Sequence, residues 1–407
     1  MQIKRMNADF GNSMYMSLIE GVYYEFSTNV VEVADETEIS RKLSVKAESA
    51  KELYDRMAIS FPKDNGERAY YLVGNVAEKE LKGNSHIDRL HNKVTSPIPM
   101  AVFLSSLALH HELMVEKGEM KEEKTDDGKS VIKIDYFQTM LPLWLLIKEA
   151  KFSEQQKAMA DRYTGTHEFK LETLGMEKEF VVEIEDSDCR IEGEVARWHL
   201  KRDFHLAEKP EAAEFSRKKV VVVDIGGGTV DIAILGEGLK SPQKREHFLY
   251  SKELPYLAEI NRLYNEKLPE YFDDVRQLED FIVRNAGKSK MVLRNPITQE
   301  QQDLTQPVSE TLKKYSSDLM YTVEQKVQDV VKNDPPVFLY IGGVANIIFP
   351  FIYEIASAKY GEENADKYHK TLPEDARKAN LYGLEVLSLY MQSKKESTAA
   401  SAEPASV

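Results

Sequence analysis

The stretch that most constrains this chain is VVVVDIGGGTVDIAIL at residues 220–235, in which two apolar runs flank three consecutive glycines. Such valine- and isoleucine-rich runs predict two buried β-strands. Glycines between stiff strands allow backbone N–H groups to approach a bulky anion that side chains would obstruct. Asp224 ends the first strand, where a carboxylate can hold a water of hydrated Mg²⁺. Taken alone, the stretch is equally typical of a plain β-hairpin.

Two further turns of small residues favour the anion-binding interpretation. DFGNS, residues 9–13, lies between strand-like runs near the N-terminus, and Gly342-Gly343 follows the buried run VFLYI. Each half of the chain therefore offers a strand, an aspartate, a small-residue turn and a second strand. Three such turns at distant positions are difficult to explain as coincidental hairpins.

Composition limits the class of protein. With 407 residues, 42% of them hydrophobic, the chain is long enough for two or more domains with proper cores. A net charge of −14 repels phosphate backbones, so we expect DNA to be reached only through another protein. The single cysteine, Cys189, excludes an intramolecular disulfide and indicates a reducing, cytoplasmic location. No window approaches the ~20 apolar residues that span a membrane.

The hydrophobic pattern predicts strands that alternate with helices. Residues 1–34 are expected to form a β-meander, and the polar stretch 35–96 a peripheral lobe. PIPMAVFLSSLALHHELMV, residues 97–115, predicts a helix buried on several sides. The pair His110-His111 lies at its end, where we expect one imidazole in solvent rather than a metal site, because adjacent helix positions point about 100° apart.

The order of the turns resembles that of one superfamily. DFGNS is similar to the phosphate-1 motif of the actin/Hsp70/sugar-kinase superfamily, DIGGGTVD to phosphate-2, and YIGGVAN to the adenosine motif. Softer motifs resemble the plasmid-segregating bacterial actins of the ParM and Alp type: TMLPLW followed by YTGTHEF, KPEAAEF before phosphate-2, and ANLYGLEVL near the C-terminus. The resemblance covers nearly all of residues 1–392.

The resemblance implies an α/β, actin-like ATPase fold with two domains of mixed sheets and helices around a central nucleotide cleft. Domain I would comprise residues 1–215 with its peripheral lobe at about 35–96, and domain II residues 216–378 with a lobe at about 270–308. A C-terminal helix, 379–392, would return to domain I. The tail 393–407 has too few apolar groups to offset its ordering entropy and is expected to be disordered.

The same resemblance implies ATP, or GTP, with Mg²⁺ as ligands. Asp9 and Asp224 would flank the metal ion. By position, Gly11, Asn12 and Ser13 would contact the β-phosphate of the nucleotide. The β- and γ-phosphates would contact Gly226, Gly227, Gly228 and Thr229, and the nucleoside would contact Gly342 and Gly343.

Glu211 falls where this subfamily has the Glu or Gln that orients the attacking water, so Glu211 and Asp224 are the expected catalytic residues. A solvated helix face is the alternative explanation of Glu208, Glu211 and Glu214, which recur at three-residue spacing.

The function that the resemblance implies is a nucleotide-dependent ATPase that forms filaments with copies of itself. It would drive plasmid segregation through a centromere-binding adaptor protein, without contact with a membrane. The alternatives from the same superfamily are a sugar or acetate-type kinase, an Hsp70-like chaperone and a cell-shape or division actin. No stretch indicates a small-molecule pocket, the residues after the last helix are too few for a peptide-binding domain, and neither end carries an amphipathic membrane helix.

Overall fold

The structure is a computed structural model that describes residues 1–63, 65–80, 92–148, 151–295, 297–332 and 335–402. Residue contacts divide the chain into two compact units. Unit 1 comprises Met1–Leu141, Leu145–Arg190 and Leu387–Val407, and unit 2 comprises Pro142–Trp144 and Ile191–Val386. These bounds differ from the predicted domain division at residues 215 and 216, because contacts assign residues 191–215 to unit 2.

Within the described residues of unit 1, ten strands form one sheet. They are β1 (Gln2–Ile3), β2 (Met6–Phe10), β3 (Met14–Ile19), β4 (Val22–Ser27), β5 (Val30–Val33), β6 (Met57–Pro62), β7 (Arg68–Val73), β8 (Ser130–Leu141), β9 (Gly165–Leu171) and β10 (Lys178–Ile191). Their order is β4-β3-β2-β8-β10-β9-β6-β7-β5, with β1 beside β8. β2, β3 and β4 are antiparallel neighbours, which confirms the predicted meander, whereas β2 runs parallel to β8.

The predicted lobe at 35–96 contains part of this sheet. β6 and β7 pair with each other, and β6 also pairs with β9. The side chains of Ile59 and Leu72 are fully buried, so this region contributes apolar core as well as polar surface. Residues 64 and 81–91 of the predicted lobe lie outside the described residues.

The helix predicted at residues 97–115 is buried over most of its length, as the sequence analysis expected. The helices here are α1 (Glu36–Lys42), α2 (Leu53–Arg56), α3 (Asn75–Glu78), α4 (Pro97–Glu116), α5 (Leu143–Leu146) and α6 (Phe152–Tyr163). Contrary to the expectation from the sequence, α4 is long and apolar enough to span a bilayer, but 78% of its most apolar window is buried. Phe103 of α4 packs edge-on against Phe137 and Tyr163, at ring distances of 4.9 and 5.0 Å. The helix is therefore the core of unit 1.

Unit 2 contains a five-stranded sheet among the residues that the structure describes. Its strands are β11 (Val220–Ile225), β12 (Val230–Leu235), β13 (Phe248–Ser251), β16 (Val337–Ile341) and β17 (His369–Thr371), and a separate hairpin consists of β14 (Val292–Arg294) and β15 (Gln301–Asp303). The order is β13-β12-β11-β16-β17. Every residue of β11 and β12 is buried, which explains why both strands are apolar apart from Asp224 and Asp231 instead of alternating.

The helices of the second half are α7 (Ala196–Lys201), α8 (Tyr256–Lys267), α9 (Val275–Asn285), α10 (Thr305–Val331), α11 (Ala345–Tyr360), α12 (Glu362–Tyr368) and α13 (Ala379–Ala402), with 3₁₀ turns at Ala50–Glu52, Pro210–Phe215, Arg245–His247 and Ala376–Lys378. One face of α10 is buried, since Leu312, Leu319 and Val327 lie in the core. The second predicted lobe, 270–308, contains α9 and the β14–β15 hairpin.

The last helix is longer than the sequence analysis expected. α13 continues to Ala402 instead of ending at 392, so residues 393–402 of the tail predicted to be disordered are helical. The physical reason is propensity, because SKKESTAASA consists largely of residues that a helix accommodates at little cost. Residues 403–407 lie outside the described residues.

The two histidines at the end of α4 are both buried, so the prediction that one lies in solvent is wrong. The Tyr24 hydroxyl lies 2.6 Å from His110 Nδ1, and His111 Nδ1 lies 2.7 Å from Glu112 Oε1. The sequence did not reveal that β4 covers this end of the helix through Tyr24. Burial, followed by the positive charges of neighbouring groups, lowers the pKa of His110 to about 4.

His110 makes the stability of unit 1 dependent on pH. Its pKa is lower in the folded protein than its ordinary value of 6.5, so the unfolded chain binds more protons between these values. The free energy of unfolding therefore falls as pH drops from about 6.5 towards 4, and this residue alone costs about 2 kcal/mol at pH 5 relative to pH 7. Urea unfolding at both pH values should show a smaller loss for His110→Gln than for the parent. His205→Gln, at an exposed histidine, is the control and should keep the full loss. Equal losses in all three proteins would contradict the assignment.

Candidate functional site

The glycine turn of unit 2 connects two antiparallel strands. β11 and β12 place Asp224 opposite Asp231, and the Gly226 N–H donates to the Thr229 carbonyl at 3.0 Å. Locally this is the hairpin that was the alternative interpretation of the sequence. A plain hairpin has no further partner strand, whereas the other edge of β11 pairs in parallel with β16. Parallel strands end at the same edge of a sheet, so a second turn lies beside the first.

That second turn begins with Gly342, which lies directly against Asp224. The register of the parallel pair places Ile341 opposite Asp224. Gly342 has a φ of +96°, and a Cβ on it would clash with the Asp224 carboxylate and lie 2.8 Å from the Ile225 nitrogen. The Val344 N–H donates to the Ile225 carbonyl at 3.2 Å. Only glycine fits here, so Gly342 is required by the close approach of the two strand ends.

Gly343 differs from its neighbour. It is exposed, its φ lies outside the left-handed region, and a Cβ on it would meet no protein atom within 4 Å. A small residue at this position therefore borders space that holds no described protein atom within 4 Å. The structure therefore brings together Asp224, the turn 226–229 and the pair 342–343, as the sequence predicted for the second half of the site.

Asn380 is the residue of this site that the sequence reasoning missed. Its Nδ2 donates to Asp224 Oδ2 at 2.5 Å, and its Oδ1 accepts from the Gly193 N–H at 3.0 Å. Both Asp224 and Asn380 are buried. Asn380 belongs to the ANLYGLEVL stretch, but its role depends on a contact between residues 156 positions apart, which no local pattern indicates.

The residues present fit a magnesium ion held through water. Mg²⁺ keeps most of its waters and needs only one or two carboxylates, so the absence of a cluster of three or more acidic, His or Cys ligands from the described residues does not conflict with it. A carboxylate has about four acceptor positions, so Asp224 can accept from Asn380 and still hold a metal-bound water.

The first turn, in unit 1, is also a tight turn between two antiparallel strands. β2 and β3 are antiparallel and place Asp9 opposite Met16, with residues 11–13 between the strands. A Cβ on Gly11 would clash with the Met14 carbonyl oxygen, so the turn closes more tightly than a side chain permits. The Ser13 carbonyl accepts from the Thr28 N–H at 3.0 Å, which ties the turn to the end of β4. Asp9, Gly11 and Asn12 are partly exposed and Ser13 is exposed.

Glu211 lies on the 3₁₀ turn Pro210–Phe215, and its side chain is exposed. Ala212 and Phe215 of the same turn pack into the core beneath β11, so the position of the turn in unit 2 is fixed. Glu214 is engaged elsewhere, in an ion pair with Lys370 at 2.7 Å. The structure therefore distinguishes Glu214 from Glu211, although nothing in it tests the catalytic role of Glu211.

A small basic cluster lies next to this 3₁₀ turn. His199 Nε2 lies 3.0 Å from Asp375 Oδ2, and Lys209 Nζ lies 3.3 Å from His199 Nδ1. Burial lowers the pKa of both His199 and Lys209, and Asp375 partly offsets the effect in each case. Because Asp375 precedes Ala376, whose carbonyl accepts from the Gly342 N–H at 2.8 Å, the cluster supports the loop that holds Gly342.

Asn380 should stabilise unit 2 through its two hydrogen bonds. Asn380→Ala leaves the Gly193 N–H and Asp224 Oδ2 without this partner inside the protein, which costs about 1–3 kcal/mol of unfolding free energy. Urea unfolding measures the loss. Asn364→Ala, which removes an exposed helix asparagine, is the matched control and should change stability by less than about 0.5 kcal/mol. An Asn380 variant as stable as this control would show that the bridge contributes nothing.

Comparison with known proteins agrees with the sequence motifs and the fold. Residues 219–375 match the Alp7A C-terminal domain family. The crystal structure of actin-like protein Alp7A is 42% identical to this chain, with a TM-score of 0.90, and the match covers 99% of this chain and 100% of that one. A ParM filament from Clostridium botulinum (14% identity, TM-score 0.64, 97% and 100% coverage) and Bacillus thuringiensis ParM with AMPPNP (13%, 0.61, 95% and 98%) share the fold. Curated protein sequences gave no match. The chain therefore belongs to the Alp7A family of actin-like proteins and has the actin-like ATPase fold.

Proposed function

We propose that this actin-like protein is a nucleotide-dependent ATPase that polymerises into filaments and drives plasmid DNA segregation through an adaptor protein. The observation that carries the proposal is the arrangement at the sheet edge of unit 2. There, buried Asp224 lies between a glycine turn and Gly342, beside the open space at Gly343. This combination of a fixed carboxylate, a turn with backbone donors and unfilled space suits a metal-bound phosphate chain.

Relatives support the nucleotide and the filament. Bacillus thuringiensis ParM has been solved with AMPPNP, with ATP and with ADP, and ParM from Clostridium botulinum as a 15-stranded filament. We infer that this chain binds ATP, or GTP, and assembles with copies of itself. Nucleotide controls assembly only if it binds the assembled and free states with different affinity.

Each predicted site residue receives a role in this proposal. Asp9 and Asp224 hold waters of a Mg²⁺ ion, which when bound neutralises charge on the phosphates. Gly11, Asn12 and Ser13 contact the β-phosphate. The β- and γ-phosphates contact Gly226, Gly227, Gly228 and Thr229, and the nucleoside contacts Gly342 and Gly343.

Glu211 orients the water that attacks the terminal phosphate. Its exposure is compatible with this role, because a water-orienting carboxylate has to reach solvent and ligand together. Little covalent chemistry is required of the protein, and most of the rate comes from holding the water in line with the leaving group.

The net negative charge of the chain is the reason to propose an adaptor protein. A chain with a net charge of −14 is repelled by DNA, so we propose that a centromere-binding adaptor connects the filament to the plasmid. We place the assembly in the cytoplasm, where the single buried thiol, Cys189, stays reduced.

Nucleotide-dependent assembly is the direct test of this function. We expect light scattering and pelleting to show polymer with Mg-ATP or Mg-GTP, and less polymer with the diphosphates, because the two nucleotide states differ in affinity for the filament. Phosphate release should accompany assembly. A protein that stays monodisperse at high concentration with all four nucleotides, and releases no phosphate, would refute the proposal.

Glu211→Ala should separate hydrolysis from binding. We expect the variant to bind nucleotide and to polymerise. It should release phosphate up to about 100-fold more slowly, so that its filaments persist. Glu214→Ala, three residues away on the same 3₁₀ turn, is the control and should keep the parent rate. A Glu211 variant that hydrolyses at the parent rate would show that another group orients the water.

A further inference from the structure

Helix α8 begins against the glycine turn of unit 2. The N–H of Leu257, the second residue of the helix, donates to the Gly227 carbonyl at 2.9 Å. Leu257 is buried, and its side chain lies over the Gly227 Cα. The turn is therefore in contact with a helix that starts almost 30 residues later in the chain, through both the backbone and a side chain.

This contact explains why position 227 is a glycine. Gly227 does not have the positive φ that favours glycine, so φ does not explain this residue type. A Cβ on it, however, would lie 2.7 Å from Leu257 Cδ1 and 3.0 Å from Leu257 Cγ, and the three nearest atoms all belong to this one side chain. The glycine therefore makes room for the helix on this side, and Leu257 alone accounts for the closest contacts.

The hydrogen bond from Leu257 also fixes the direction of a donor in the turn. In a planar trans peptide, the C=O and the N–H point in opposite directions. Because the Gly227 carbonyl faces α8, the N–H of the same peptide unit, which belongs to Gly228, faces away from the helix. Val344 acts similarly on the preceding part of the turn, since its N–H donates to the Ile225 carbonyl and the Gly226 N–H then closes the turn onto Thr229.

The start of α8 is itself held in place. The Tyr315 hydroxyl of α10 donates to the Leu254 carbonyl at 3.1 Å, and the rings of Tyr315 and Tyr256 are 5.8 Å apart in an edge-to-face contact. Both tyrosines are buried. Leu257 therefore extends from a fixed support, and it can hold the turn in one orientation rather than follow its movement.

We propose that Leu257 is a positioning residue for the phosphate-binding turn: it fixes the Gly227–Gly228 peptide so that the Gly228 N–H faces the terminal phosphates of the nucleotide. This inference rests on the proposed nucleotide binding. It assigns to the helix a role that the turn sequence alone does not contain, and it makes Gly227 and Leu257 a matched pair.

The test is a rescue experiment with Gly227→Ala, Leu257→Ala and the double variant. Mg-ADP affinity is measured by calorimetry, and the melting temperature is measured without nucleotide. We expect Gly227→Ala to weaken Mg-ADP binding about 10- to 100-fold, because its Cβ pushes the turn away from Leu257 and turns a donor away from a charged group. Leu257→Ala keeps the backbone hydrogen bond to Gly227 and loses only the side-chain contact, so it should weaken binding less than Gly227→Ala does. The double variant, in which the clashing atoms are absent, should recover to within about threefold of Leu257→Ala.

The control is the pair Gly227→Ala and Leu263→Ala. Leu263 is a buried leucine of the same helix, so its truncation destabilises α8 without making room at Gly227. Rescue by Leu257→Ala but not by Leu263→Ala supports the proposal, even if both variants melt at lower temperature.

Three results would overturn it. A Gly227→Ala protein that binds Mg-ADP as the parent does would show that the turn does not depend on this contact. A double variant no better than Gly227→Ala would show that the ligand, rather than the helix, requires glycine at this position. A parent protein that binds no nucleotide would refute the proposed function, and the role of Leu257 would be refuted with it.

Discussion

The parallel pairing of β11 with β16 is the constraint on which the rest of unit 2 depends. It places the ends of two buried strands side by side, so that Gly342 meets the Asp224 carboxylate and the Ile225 backbone. A carboxylate buried at such a point has to be compensated, and the Asn380 amide does so while it also accepts from the backbone of Gly193. The location of Asp224 at this edge is thus determined by strand pairing, and its orientation by a helix from the end of the chain.

Local patterns were sufficient for much of the fold because they report burial directly. The valine runs predicted β11 and β12, and the apolar run 97–115 predicted α4. What the sequence did not reveal depends on residues far apart in the chain. Asn380 reaches Asp224 from the last helix, Leu257 reaches Gly227 from α8, and Tyr24 buries His110 from β4. The spacing of residues along a single helix or strand predicts none of these contacts.

The glycines of the site illustrate this limit. From the sequence, all of them had one explanation, which was room for a phosphate group or the nucleoside. In the structure, Gly342 is required by a positive φ and by the adjacent carboxylate, and Gly227 by the Leu257 side chain. Of these three glycines, only Gly343 borders space with no described protein atom within 4 Å of a Cβ placed on it. A shared residue type therefore reflects different physical causes, and only one of the three leaves open space where a ligand would lie.

The contacts that hold the turn 226–229 also determine which parts of unit 2 move if a ligand displaces the turn. The turn 226–229 is held at Ile225 by Val344, at Gly227 by Leu257, and across its own ends by the hydrogen bond from Gly226 to Thr229. A group that displaces the turn must therefore break one of these hydrogen bonds or carry α8 with it. Tyr315 of α10 holds the start of α8 by a hydrogen bond to Leu254 and a ring contact with Tyr256. Packed elements move as units because close-packed interiors transmit strain instead of absorbing it. Within unit 2, a displacement of the turn 226–229 at Gly227 would therefore reach α8 first and α10 next.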